Sequence, residues 1–241
     1  MEEREFIEEC IDLFTKNRLS CAETQAKQLY RLTERMLEVN RSMNLTAITE
    51  EKAVILRHYV DSLTISEHIP KGAAVIDVGC GAGFPSLPLA IFREDLTITA
   101  LDGTAKRIAY VQETAKLLGL SNLTAISGRA EELGNTPDFR ERFDIATARA
   151  VASLPVLCEL CLPFVKVGGH MIAMKAQQAE DELEAAKRGI QLCGGSKAIA
   201  LSCDLTDGEQ VEQRKLILIS KTTVTPKNYP RHFSKISKKP L

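Results

Sequence analysis

The chain contains no tryptophan, and its eight phenylalanines and four tyrosines make up only 5% of it. A broad platform for stacking many bases is thereby excluded. There is no run of about 18 apolar residues, the length a membrane-crossing helix needs. The opening MEEREFIEEC is acidic, without the basic-then-apolar layout of a secretory signal. There is almost no net charge, −1 over 241 residues, so the whole chain is no basic nucleic-acid coat. A cysteine framework is missing too. The seven cysteines are odd in number and irregularly spaced, and the one CxxC pair, Cys158 and Cys161, has no second pair to complete a zinc site. No metal is expected, and reduced thiols in a cytoplasm explain the count. No internal repeat or low-complexity linker occurs.

What is present has ordinary globular proportions, 44% hydrophobic and 26% charged. Residues 1–70 read as a helical extension. Ser20 and Glu23 fit a capping box. Ala22, Ala26, Leu29, Leu32, Met36 and Val39 then recur three or four apart, on one helical face. A second helix is expected from about Glu50 through AVILRHYVDSLTI, with His58 and Asp61 sharing a face.

From Lys71 the rhythm becomes strand, turn, helix. AAVIDV, LTITALD, LTAISG, FDIATAR, GGHMIAMK and RKLILISKT read as strands. Helices are expected near Leu87–Phe92, over AKRIAYVQETAKLLG, near Leu154–Phe164 and over AEDELEAAKRGIQLCG. This alternation predicts an α/β domain over residues 71–221, with a mostly parallel sheet covered by helices on both faces. From Lys221 onward come Lys227, Arg231, Lys235, Lys238 and Lys239 and no acid. Residues 222–241 therefore read as a basic tail for an anionic partner, with Tyr229 and Phe233 placed to stack.

Three glycines follow the first strand in DVGCGAGFP: Gly79, Gly81 and Gly83. Ligands of open parallel sheets sit beyond the carboxyl ends of the strands. The dinucleotide fingerprint G-x-G-x-x-G would need glycine at position 84, which is Phe84, and a phosphate-binding P-loop would need a lysine that GAGFPS lacks. Asp102 ends the second strand, 23 positions after Gly79. An acid there accepts hydrogen bonds from both ribose hydroxyls. The pattern asks for a nucleoside without a large phosphate group.

VIDVGCGAGFP followed by ITALD resembles the S-adenosylmethionine site of class I methyltransferases. NLTAIT, RHYVDSL, LDGTAKR, GRAEEL, ARAVASL, MKAQ and TPKNYPR with KKPL appear around it in a fixed order. Together they resemble the glucose-inhibited-division-B family of 16S ribosomal RNA guanine-N7 methyltransferases, from about Asn44 to the carboxyl end. The resemblance implies a Rossmann-like class I S-adenosylmethionine-dependent methyltransferase fold behind an N-terminal helical extension. It implies S-adenosyl-L-methionine as cofactor, 16S ribosomal RNA or the small ribosomal subunit as partner, a cytoplasmic place and no membrane. A monomer is the default expectation. Gly79, Gly81, Gly83, Phe84 and Asp102 would hold the cofactor, Ala130 and Glu131 its adenine side, and Arg149 would close the site and orient the substrate. His58, Arg107, Lys175, Lys227, Arg231, Lys238 and Lys239 are candidates for contact with RNA. The family pattern carries a glycine after the strand-five lysine; here Ala176 follows Lys175.

The residues themselves leave three functions open: an RNA methyltransferase, a small-molecule methyltransferase, and a non-enzymatic RNA-binding or assembly factor on the same fold. Neither Cys158 nor Cys161 stands at a strand end, the fourth strand ends in ATARAV, and the Asp/Asn-Pro-Pro-aromatic turn of amine methylation is missing there. Guanine N7 suits this pattern because its lone pair is already free and needs no general base.

Overall fold

The computed structural model describes residues 1–176 and 179–241. Gln177 of the MKAQ motif lies outside the described residues. The chain opens with two helices, α1 (Glu3–Lys16) and α2 (Glu23–Met43). The expected capping box at Ser20 and Glu23 is not what starts α2. Ala22 is still extended, and the Gln25 side chain accepts the Ala22 N–H at 2.9 Å. Next, α3 (Glu51–Val54) passes into a π-helical turn, Ile55–Val60, and then into α4 (Asp61–Leu63).

The αβ part follows as β1 (Ala74–Val78), α5 (Ser86–Phe92), β2 (Thr97–Asp102), α6 (Ala105–Leu117), β3 (Leu123–Ser127), α7 (Ala130–Leu133), β4 (Phe143–Arg149), α8 (Leu154–Cys161), β5 (Val165–Lys175) and α9 (Ala179–Leu192). The chain then adds β6 (Gly195–Ser202), a two-stranded ribbon of β7 (Leu205–Thr206) and β8 (Val211–Glu212), β9 (Lys215–Lys221) and α10 (Phe233–Lys238). The seven-stranded sheet has the order β3-β2-β1-β4-β5-β9-β6. β1 to β5 pair in parallel, whereas β9 runs antiparallel between β5 and β6. Sequence order reverses between β1 and β4, which opens a crevice beyond their carboxyl ends. β6 is not among the strands that the sequence pattern predicts. Its burial alternates weakly and Lys197 is exposed, as suits an edge strand facing water.

Period-two alternation sends side chains to two cores. Val75, Ile98, Ala100, Ile145 and Ile172 join α1, α2, the π-helical turn, α5 and α6 on one face. Ile76, Val78, Leu101, Ala146, Met171 and Ala173 meet α8, α9 and α10 on the other. The helices before residue 70 thus share the core of the sheet and do not form a separate body.

The basic tail is likewise folded onto the domain. Lys221 is fully buried, its Nζ donating to the Leu162 carbonyl at 2.7 Å and to Thr225 Oγ1 at 2.6 Å. Arg140 donates to the carbonyls of Gly134, Thr225, Pro226 and Tyr229. Arg231, expected among the RNA contacts, instead holds the fully buried Glu159 at 2.6 Å, and Ile236 of α10 is buried. Lys227, Lys235, Lys238 and Lys239 remain exposed.

Candidate functional site

Two openings lie at the crevice. The first is a cleft of about 210 Å³, lined by Gly79, Asp102, Gly103, Arg129, Ala130, Glu131, Val151 and Phe233 among others. Gly79 has a φ of +77°, and a Cβ added to it would stand 2.6 Å from Cγ2 of Val151. The backbone of this turn approaches its neighbours as only glycine permits. The Asp102 carboxylate is pinned from both sides, accepting the Gly81 N–H at 3.1 Å and the Thr104 N–H at 2.7 Å. Each oxygen keeps a lone pair for a further donor. Ala130 and Glu131 begin α7 just past β3, and Glu131 is buried with Arg129 Nε at 3.4 Å. This donor and acceptor set fits a nucleoside: an acid for the ribose hydroxyls and main-chain groups at a strand end for the base.

The second opening is a cavity of about 430 Å³ lined by Arg57, His58, Asp61, Arg149, Lys175 and Arg214, with apolar Ile48, Met174 and Leu216. Behind its wall lies a stack on the buried Phe84. The His58 ring lies on the Phe84 ring, centroids 4.5 Å apart and 10° from parallel. The Arg149 guanidinium lies 5.2 Å from the centre of the same ring. Arg149 Nη1 donates to Asp61 Oδ2 at 2.8 Å and to the Arg57 carbonyl at 3.0 Å. The two openings share no lining residue, and Arg149 and Val151, at the end of β4, stand on either side.

Several expected site residues are therefore sorted differently from the sequence reading. Gly79, Asp102, Ala130 and Glu131 meet in the first cleft. Phe84 and Arg149 belong with His58 at the second. Gly83 serves packing, because a Cβ there would meet Leu87 Cδ1 at 2.5 Å. Arg107, expected at RNA, stands 3.9 Å from Asp102. Lys175 lines the second cavity, but its Nζ already binds Glu182 at 2.7 Å and the Ala152 carbonyl at 2.7 Å. Phe233, expected to stack on RNA, forms a wall of the first cleft with the Arg129 guanidinium 5.1 Å from its ring centre.

Asp77 was missed. It is buried in β1, accepts from the Ser86 hydroxyl and N–H through Oδ2, and its Oδ1 has no partner. The signal available was an acid inside an otherwise apolar strand, two residues before Gly79. Burial raises the Asp77 carboxyl from 3.8 to about 6. Burial and the nearby Arg149 lower His58 from 6.5 to about 3. The two groups tilt stability in opposite directions. For His58 the unfolded chain takes up a proton below pH 6.5 that the fold refuses, so stability falls with falling pH. For Asp77 the fold keeps a proton up to about pH 6 that the unfolded chain has released, so stability rises as pH falls from there to 3.8. Asp77→Asn removes the second effect. From pH 7 to pH 5 this variant should lose about 1.4 kcal/mol more stability than the unaltered protein. Urea unfolding at both pH values measures it; equal losses would mean that Asp77 is ionised throughout this range.

A sequence model of the GidB family, described as rRNA small subunit methyltransferase G, matches residues 25–215. A protein of Lactobacillus acidophilus named ribosomal RNA small subunit methyltransferase G is 41% identical over 238 residues, 97% of this chain and 98% of its own. One of the same name from an Exiguobacterium species is 45% identical, over 91% of this chain and 92% of its own. Among solved structures, a putative S-adenosyl-L-methionine-dependent methyltransferase of Methanococcus maripaludis is similar at 17% identity and a TM-score of 0.54, over 79% of this chain and 92% of its own. TYW2 of M. jannaschii, solved in complex with AdoMet, is similar at 16% identity and a TM-score of 0.53, over 68% and 77%. These two structural likenesses establish the fold, a class I methyltransferase α/β sheet.

Proposed function

The chain belongs to the GidB family of rRNA small subunit methyltransferase G, and from that premise we propose that it transfers a methyl group from S-adenosyl-L-methionine to N7 of a guanine in 16S ribosomal RNA. The observation that carries the reading is the pair of openings at one crevice. One offers an acid and strand-end main chain for a nucleoside; the other is rich in cations, with the His58 ring in its wall backed by the buried Phe84.

When bound, S-adenosyl-L-methionine supplies a methyl group on a positively charged sulfur. Asp102 holds the ribose hydroxyls. The main chain at Ala130, with Glu131, reads the adenine edge. Gly79 lets the backbone lie against the amino-acid part, and the unpaired Oδ1 of Asp77 is an acceptor for its ammonium group. On the other side, the cavity beside Phe84 takes the guanine, and Arg149 orients it. Asp61 neutralises Arg149, so its cation does not press on the sulfonium. N7 already has its lone pair in the plane of the base. No residue has to remove a proton, and catalysis rests on proximity and orientation. Base recognition of this kind suits an unstacked or loop guanine. Lys227, Lys238 and Lys239, exposed on the docked tail, remain for phosphates.

The test is incubation with small subunits from a strain lacking the protein, with labelled cofactor, followed by mapping of the methylated base. One labelled 7-methylguanine in 16S RNA is expected. No transfer to RNA, or label at another atom, would overturn the reading. Truncation at residue 222 is a poor way to ask whether the tail binds RNA, because Phe233 would leave the first cleft. Replacing the exposed lysines with glutamine spares the cleft and asks the same question.

A further inference from the structure

The motif NLTAIT lies outside the methyltransferase sheet, and the reaction as described gives it no task. It contains Thr46, which the structure holds with care. Asn40 grips its main chain at both ends, Oδ1 accepting the Thr46 N–H at 2.9 Å and Nδ2 donating to the Thr46 carbonyl at 3.0 Å. The Thr46 hydroxyl oxygen accepts the Ile48 N–H at 3.0 Å and lies 2.9 Å from His58 Nε2. On the other side of the ring, His58 Nδ1 lies 3.3 Å from Arg149 Nη2.

Elementary donor counting fixes the tautomer. A guanidinium has donors only, so Nδ1 of His58 accepts and bears no proton. The ring proton then sits on Nε2 and is donated to Thr46 Oγ1. The donors thus run from Arg149 through the imidazole to Thr46, the terminal acceptor. The π-helical turn supplies the other half of the grip. The Asp61 N–H bonds back to the carbonyls of Leu56 and His58, not to that of Arg57, and the Arg57 carbonyl accepts Arg149. Irregular turns of this type are frequent at functional sites.

We infer that Thr46 is a positioning residue: through His58 it fixes the guanidinium of Arg149 over Phe84, in the orientation in which Arg149 holds the target guanine. This rests on the guanine pocket proposed above. Asp61 supplies charge neutralisation, and Thr46 supplies direction.

The test compares Thr46→Val, which keeps shape but loses the acceptor, with Thr46→Ser, which keeps it. Thr46→Ala reads the same loss if valine unsettles the segment. Nitrogen NMR of histidine-labelled full-length protein reports the tautomer. The unaltered protein and Thr46→Ser should show His58 as one species protonated at Nε2 alone. Thr46→Val should keep that tautomer and show a changed Nε2 environment. Its kcat/KM on small subunits should fall about tenfold, the worth of one buried hydrogen bond, with the Kd for S-adenosylmethionine unchanged. Thr46→Ser should restore the rate. The inference is overturned if valine leaves both the His58 Nε2 environment and the rate intact, or if serine is no better than valine. If none of the proteins methylates small subunits, the substrate reading fails instead, while the NMR comparison still decides whether Thr46 sets His58.

Discussion

Replacing Arg231 with alanine should lower the stability of the protein by about 3–5 kcal/mol, the usual cost of removing one partner of a buried ion pair. Glu159 sits on α8 with no solvent exposure at all. Arg231 meets it with Nε at 2.8 and 3.1 Å, Nη2 at 2.6 Å and its own N–H at 2.7 Å. Alanine would leave only the N–H, and a carboxylate would remain buried without its cation. The melting temperature should fall by roughly 10 °C for a domain of this size. A second effect follows from position. Arg231 Nη2 also binds the Lys239 carbonyl, so it closes the loop that carries Phe233 and α10. Loosening that loop withdraws Phe233 from the first cleft, and binding of S-adenosylmethionine should weaken along with stability. Urea unfolding and titration calorimetry measure the two. The double replacement Glu159→Leu with Arg231→Met should recover much of the stability, because it removes the stranded charge. Should Arg231→Ala stay within about 1 kcal/mol of the parent and lose only RNA affinity, the tail is an RNA arm, as its charge alone suggested.

Asp102→Asn should weaken binding of S-adenosylmethionine by at least about a hundredfold. Two charge-assisted hydrogen bonds to ribose hydroxyls are worth about 1.5–3 kcal/mol each. The amide conserves shape, so packing against Leu101 and Gly103 is kept. However, the carboxylate now accepts two backbone N–H groups, from Gly81 and Thr104, one on each oxygen. An amide presents a donor to one of them. The glycine turn therefore loses its anchor while the ribose loses its acceptor, and both changes act on the same ligand. Calorimetry with S-adenosylmethionine and with S-adenosylhomocysteine should give equal losses, since the two share the ribose. A change below threefold would remove Asp102 from the cofactor site and with it the assignment of the first cleft.

Much of the sheet was legible because a strand buried on both faces leaves an unmistakable apolar run, as in VIDV and FDIATA. Locating strand ends also located Gly79, Asp102 and Ala130, which is why these residues meet in one cleft. Three features were not legible, each for a physical reason. The strand β6 opens on Gly195, Ser196 and Lys197, and at the sheet edge its apolar Ile199 and Leu201 are not buried, so it leaves no buried apolar run. The tail reads as free from its charge, but its fate depends on Glu159, 72 positions earlier. No local pattern announces which buried acid awaits which arginine. The stack of His58, Phe84 and Arg149 depends on the register of a π-helical turn against β4, and helical spacing at 3.6 residues per turn does not contain it.

The placement of β9 bears on the order in which the molecule is put together. Among the described residues β6 pairs with β9 alone, and β9 with β5 and β6. When β6 leaves the growing chain it has no strand to join. It waits until β9, further along, has docked on β5. The sheet thus grows outward in space while running backward in sequence at this edge, and the interval between the two strands is one of exposure. During that wait the apolar stretch 198–201 stands open, and Lys197 is the charge placed beside it.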